Sequence, residues 1–245
     1  MIPKKIHYCW FGRNPKPDIV LKCIKSWKRY MPEYEIIEWN EENYDVNKCK
    51  YTAEAYKAGK WAFVSDYARF DVLNTMGGIY FDTDVELLKK IPDDILLNNA
   101  FTGMESAGKV SPGLIFASVP QHPFLQKILN VYNEASFIQN GKRNYKTVNE
   151  FTTEILESNG FELKQEYQKV DDVAIYPSTI FCGYDQDLRE YDIRPETISV
   201  HHYSGTWKKK TIKNYIQNGI KKIFGKKGYV CILKIKRKLF GIHEG

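Results

Sequence analysis

The sequence predicts an α/β protein with a Rossmann-like, mostly parallel central sheet flanked by helices. Short apolar runs alternate with amphipathic helical stretches from residue 2 to Asp84, which is the pattern of βαβ units. The apolar run Ile79-Tyr80-Phe81 leads straight into Asp82-Thr83-Asp84. In open α/β sheets ligands bind beyond the C-terminal ends of the strands, so this pair marks a candidate site. The G-x-G-x-x-G fingerprint is missing from the sequence, which removes the phosphate loop of an NAD-binding domain.

In chain order, Ile2 to Gly12 reads as a first strand ending in a turn, with Trp10 at the strand's end. Pro15 and Pro17 mark a loop. Residues 18–30 follow as a helix whose apolar side is Ile19, Leu21, Cys23, Ile24 and Trp27. Tyr34 to Trp39 is a short strand, and the polar run from Glu41 to Lys60 is helical in parts.

The stretch 61–86 organises the rest. Ser65 is a candidate N-cap, with Asp66 in a first turn where the helix dipole favours an anion. Tyr67, Phe70, Leu73 and Met76 recur at spacing three and form an apolar stripe. Asp66 and Arg69, also three apart, lie within reach of one ligand. Gly77-Gly78 stops the helix, because glycine tolerates the left-handed conformation of a C-terminal cap. The following strand is expected to continue through Leu87 and Leu88 and to end at Pro92.

Further on, residues 100–118 read as a strand pair around the turn-rich segment Gly108 to Gly113, and Leu114 to Ala117 is apolar enough to be central. His122 is assigned a loop role. Pro123 to Ile138 and Val148 to Leu156 read as helices, Ile175 to Tyr184 as strand and turn, and Ile198 to His202 as a last strand.

Side chains two apart on a strand share a side. Asp82 and Asp84 therefore form a carboxylate pair, with Tyr80 on the same side. Two hard oxygen ligands suit Mg²⁺ or Mn²⁺. A bare D-x-D is most often a solvated turn. Here it follows an apolar strand and a helix carrying Asp66 and Arg69, and precedes Glu86. That context points to a metal–nucleotide site. Adjacent strand residues face opposite ways, so at most one of His201 and His202 is expected to meet the metal.

Composition bounds the alternatives. At 245 residues and 43% hydrophobic content the chain has material for a substantial core. The net charge of +6 is unevenly placed: residues 208–245 hold 12 Lys and Arg against Glu244 alone. Residues 1–207 hold 24 basic and 29 acidic residues, a net −5. The chain is accordingly divided into a catalytic domain, 1–207, and a basic tail, 208–245. Ile212, Tyr215, Ile216, Ile220, Ile223 and Phe224 follow helical spacing among lysines, which reads as a basic amphipathic helix on an anionic membrane surface. Two other readings of the tail are a solvated basic helix packed on the body and nucleic-acid binding, the latter opposed by the acidic body. Five scattered cysteines without C-x-x-C fit a reducing cytosol. No signal peptide and no apolar run of about 18 residues is evident. The expected location is cytoplasmic, and peripheral on the inner face of the cell membrane given the lipid-linked acceptor that the resemblance described next implies.

The set Ala62, Ser65-Asp66, Arg69, Leu73, Gly77-Gly78-Ile79-Tyr80, Asp82, Asp84 and Glu86 resembles the sugar-binding region with the D-x-D motif of glycosyltransferase family 32. The opening I-P-K-x-I-H-x-x-W-x-G is similar too, as is the closing His201-His202, Gly205, Trp207. The resemblance implies a GT-A-type fold and a metal-dependent, retaining hexosyltransferase. Its donor would be a nucleotide sugar, a UDP-sugar foremost, and its acceptor a glycan or lipid-linked glycan of bacterial capsule or surface polysaccharide. It also implies residue roles. Trp10 and Gly12 would hold the nucleotide, with Trp10 stacking on the base. Asp84 would coordinate Mn²⁺ or Mg²⁺, Asp82 would touch metal or ribose, and His201 would close the metal site. Arg69 would face the phosphates, Asp66 would accept from donor-sugar hydroxyls, and Trp207 would pack near the diphosphate. The chain departs from the family at Val148-Asn149-Glu150, where many members carry proline. A phosphotransferase of the haloacid dehalogenase type also uses a strand and D-x-D, but needs Thr or Val where this chain has Glu86.

Overall fold

A computed structural model describes residues 1–204 apart from 140 and 187; the expected tail helix and Trp207 lie outside the described residues. The elements in chain order are β1 (Lys5–Cys9), α1 (Asp18–Tyr30), β2 (Glu35–Trp39), α2 (Lys50–Lys57), α3 (Trp61–Met76), β3 (Gly78–Tyr80), β4 (Val85–Leu87) and α4 (Asp93–Leu96). There follow β5 (Ala100–Gly103), β6 (Phe116–Ser118), α5 (Pro123–Glu134), α6 (Val148–Glu157), β7 (Gln168–Val170), β8 (Val173–Tyr176), α7 (Ser178–Phe181) and β9 (Ser199–His201). Two-residue ladders also join 138–139 to 142–143 and 184–185 to 190–191.

The central sheet has seven strands in the order β2-β1-β3-β6-β5-β8-β7. Strands β1, β2 and β3 run parallel, as do β5 and β8, and only β6 and β7 are reversed. This is the mixed α/β, mostly parallel sheet that the alternation predicts. From β1 the chain passes to β2 on one side and returns through α2 and α3 to β3 on the other. The crevice between the ends of β1 and β3 is thus a topological switch point.

Period-2 alternation sorts the strand side chains into two cores. Cys9, Tyr80 and Phe116 join the cluster under α2, α3, α5 and α6. Ile6, Tyr8, Ile79, Phe81 and Ala117 join the cluster under α1. In the second cluster Trp27 of α1 stacks on Phe81 at 5.4 Å between ring centroids and donates from Nε1 to the Val85 carbonyl at 2.8 Å.

Several boundaries depart from the sequence reading. Helix α3 begins at Trp61, so Ser65 is inside it and donates to the Trp61 carbonyl instead of capping. Its burial is not a stripe either. Phe63, Val64, Asp66 and Arg69 are buried together with Tyr67, Phe70 and Leu73, because α3 is packed between the sheet and α2 and α5. The strand after Gly78 is not continuous. Residues 81–84 leave the sheet, and β4 pairs antiparallel with β9 in a separate two-stranded ladder. Asp82 and Asp84 therefore sit in a turn beyond the strand end. Helix α5 stops at Glu134, short of Ile138, and His122 is its buried N-cap, accepting from Phe124 N–H. Gly77 and Gly78 stop α3 as expected, at φ +61° and +110°; a Cβ on Gly78 would meet the Lys5 carbonyl at 2.7 Å.

Candidate active site

Arg69 is the centre of the site. It is 2% exposed on a helix buried on most sides, and two carboxylates meet it. Nη2 lies 2.7 Å from Asp66 Oδ1, one helical turn back, and 3.3 Å from Asp82 Oδ1 beyond β3. Nε donates to the Ser65 carbonyl, the guanidinium lies 4.9 Å over the Tyr80 ring, and buried Nη1 has no partner among the described residues. Burial alone would lower the Arg69 pKa, but Asp82, Tyr80 and Asp66 more than compensate and keep it charged. Burial raises the Asp66 carboxyl to about 7, against the pull of Arg69 and the N–H of Val148. Tyr80 donates to Asp82 Oδ1 at 3.2 Å, so Tyr80 and Asp82 do share a side.

Asp84 is held by different partners. Its Oδ1 lies 2.8 Å from His201 Nε2, and its Oδ2 accepts from the backbone N–H and hydroxyl of Ser204 at 2.9 and 2.8 Å. Burial would raise the Asp84 carboxyl, but His201 and Ser204 outweigh it and hold it well below the usual carboxylate range. Burial likewise lowers His201, and the Asp84 charge reverses that to a net rise. His201 and Asp84 are thus paired directly, imidazole to carboxylate. His202 faces elsewhere: Nε2 lies 2.8 Å from Glu86 Oε2 and Nδ1 2.7 Å from the Tyr191 hydroxyl, while Lys22 reaches Glu86 from α1. The period-2 rule thus separates the two histidines, one to Asp84 and one to Glu86.

Asp84 and His201 bring an oxygen and a nitrogen donor together, a mixture that Mn²⁺ accepts; Asp82, the other expected ligand, is not with them. Among the described residues no group of three such side chains already converges as a metal cage, since Asp82 is turned to Arg69. Trp10 follows β1, half-buried, and donates from its indole N–H to the Asn14 carbonyl at 2.7 Å. Gly12, at φ +94°, passes under Trp61, where a Cβ would lie 2.5 Å from the indole nitrogen; its N–H donates to Glu41.

Sequence reasoning passed over Ser204, Val148, Lys22 and His7. His7 belongs to the opening motif and is fully buried. It accepts from Trp39 on Nδ1 and donates from Nε2 to the Gly77 carbonyl, tying β1 to β2 and to the end of α3. A histidine in an apolar strand is the signal that could have found it.

Two carboxylate centres and a buried arginine thus stand together beyond the end of β3. Residues 17–102 match the family described as "glycosyltransferase sugar-binding region containing DXD motif", and the chain carries that region, with Asp82-Thr83-Asp84 as its motif. Relatives include inositol phosphoceramide mannosyltransferase 1 of Schizosaccharomyces pombe, 28% identical over 60% of this chain and 47% of that protein. Human alpha-1,4-N-acetylglucosaminyltransferase is 27% identical over 54% of this chain and 35% of its own length. The chain thus aligns with less than half the length of either relative. A solved glycosyltransferase involved in glycosylation of the major capsid of PBCV-1 is similar over 83% of this chain and 95% of that one, at 12% identity and a TM-score of 0.48.

Proposed function

We propose that the protein is a metal-dependent glycosyltransferase that moves a hexosyl group from a nucleotide sugar, a UDP-sugar foremost, to a glycan or lipid-linked acceptor. The observation that carries this reading is Arg69, buried and charged between Asp66 and Asp82 at the end of β3, with Nη1 unpaired among the described residues. A permanent cation fixed there attracts diphosphate, and flanking carboxylates accept sugar hydroxyls.

In this reading Trp10 stacks on the base at the end of β1. Arg69 faces the phosphates, and Tyr80 keeps Asp82 turned inward beside it. Asp66, held by Arg69, accepts from donor-sugar hydroxyls. Asp84 and His201 would hold Mn²⁺ or Mg²⁺, which as a Lewis acid would neutralise charge on a leaving diphosphate, while Asp82 stays on Arg69. Retention of configuration follows from the family resemblance, and so does a role for the diphosphate in taking the acceptor proton.

The name of the Schizosaccharomyces pombe relative includes a ceramide lipid, and the basic segment 208–245 suits an anionic leaflet. Both support a lipid-linked acceptor at the inner face of the membrane, as in bacterial surface-polysaccharide assembly. No described helix is long and apolar enough to cross a membrane.

The test is a thermal-shift panel of UDP- and GDP-sugars with and without Mn²⁺, followed by donor hydrolysis on each hit. A ligand that binds only the folded state raises the melting temperature. A metal-dependent rise with one donor class is expected. No shift with any nucleotide sugar in Mn²⁺ would remove the assignment.

A further inference from the structure

Gly113 lies in the turn between β5 and β6, far in sequence from the D-x-D pair. Its carbonyl accepts from Asp82 N–H at 2.9 Å. A Cβ built on Gly113 would stand 2.0 Å from Asp82 Oδ2, 2.9 Å from Asp82 Cγ and 3.2 Å from Arg69 Nη1. Asp82 Oδ1 is meanwhile engaged by Tyr80 and Arg69. One carboxylate oxygen is thus clamped by Tyr80 and Arg69 while the other rests in the notch left by the missing side chain. Gly113 is not among the glycines with positive φ, so its backbone accepts a side chain, and the nearest atoms a methyl group meets are those of this carboxylate and its arginine.

We infer that Gly113 is a positioning residue for the D-x-D carboxylate. Its bare backbone lets Asp82 lie flat against the turn and stay on Arg69. Any side chain at 113 rotates Asp82 outward and leaves Arg69 Nη2 with Asp66 alone. The inference rests on the reading of Asp82 as part of a sugar-transfer site, but the geometry can be tested without it.

The experiment is a double-mutant cycle on the full chain, with Gly113→Ala, Asp82→Ala and both together. Melting temperature is read first. Gly113→Ala is expected to lower it in the wild-type background and to lower it much less in the Asp82→Ala background, where the clashing carboxylate is gone and only the 3.2 Å approach to Arg69 Nη1 remains. An equal drop in both backgrounds, or none in the wild type, overturns the inference. If Gly113→Ala does not fold, the double variant must fold; failure of both also overturns it. Donor turnover in Mn²⁺ is read second. Gly113→Ala should lose roughly 10–100-fold, the scale set by misplacing a site group by about 1 Å, and should lose nothing further on top of Asp82→Ala. Full turnover in Gly113→Ala overturns the inference. If no donor supports turnover in the wild type, the sugar-transfer reading fails while the melting cycle still decides the role of Gly113.

Discussion

Asp84 carries more partners than its neighbour Asp82, and the two carboxylates should respond differently to substitution. Asp84→Asn removes a charge that His201 and Ser204 have drawn well below the usual carboxylate range. Turnover should be abolished while the far-UV circular dichroism stays native, because the residue lies outside the sheet. Wild-type turnover in saturating Mn²⁺ would refute a metal role for Asp84. The two histidines offer a sharper contrast. His201→Ala should weaken Mn²⁺ binding by about tenfold or more, the scale of losing support at a metal site. His202→Ala, which among the described residues disturbs Glu86 and Tyr191, should leave Mn²⁺ affinity near wild type. Titration calorimetry separates the two, and equal losses would place both on the metal. Trp10→Ala should raise donor KM more than it lowers kcat, since base stacking is present in ground and transition states alike. An unchanged KM would return Trp10 to a packing role.

At the scale of elements, α6 begins against the site. Thr147 is its N-cap, and the Thr147 and Glu150 side chains satisfy each other's backbone N–H groups. The Val148-Asn149-Glu150 segment, where the chain departs from the family, is therefore the first turn of a well-capped helix whose Val148 N–H, with Arg69, opposes the rise of the Asp66 carboxyl. Thr147→Ala should cost about 1 kcal/mol of stability, read as a lower midpoint in urea with an unchanged slope. No change in midpoint would show that tertiary packing alone fixes the helix start. The β4–β9 ladder works in the same way on the other carboxylate. It carries His201 to Asp84, and the backbone N–H of His202 donates to the Asp84 carbonyl.

For the whole molecule, His7 sets a pH dependence of stability. Burial lowers its pKa from 6.5 to about 4, and its hydrogen bonds suit the neutral ring. Below pH 6.5 the unfolded chain takes up this proton before the folded one does. The contribution of His7 is therefore complete above 6.5, is lost as the pH falls towards 4, and totals about 3 kcal/mol. His7→Gln should flatten the denaturation midpoint across that window; an unchanged slope would show that other groups dominate. The charge division makes a second prediction. Removing 208–245 takes away a net +11. Co-sedimentation with anionic vesicles at low salt should fall to background, while melting temperature and donor hydrolysis persist. Each basic residue near such a leaflet contributes about 1 kcal/mol, and salt weakens that attraction. Equal sedimentation of the truncated and full chains would dismiss the membrane role, and loss of folding would make the tail part of the core.

The sequence by itself determined what local pattern can encode. Alternating apolar runs made the α/β sheet legible, Gly77-Gly78 set the end of α3, and an apolar strand running into Asp82 and Asp84 located the site. Asp66 and Arg69 were found because helical spacing fixes neighbours along one helix. Only the tertiary structure decided which groups meet across the chain: Asp84 with His201 and Ser204, Glu86 with His202 and Lys22, and Asp82 with Gly113. It also moved the start of α3 to Trp61 and broke the strand after Tyr80, because packing against α2 and α5 and pairing with β9 outweigh local capping and strand propensity. Hydrophobic periodicity reports which face of an element is buried, but not which distant backbone or side chain lies against it. A glycine that makes room for a carboxylate more than thirty residues away leaves no periodic trace.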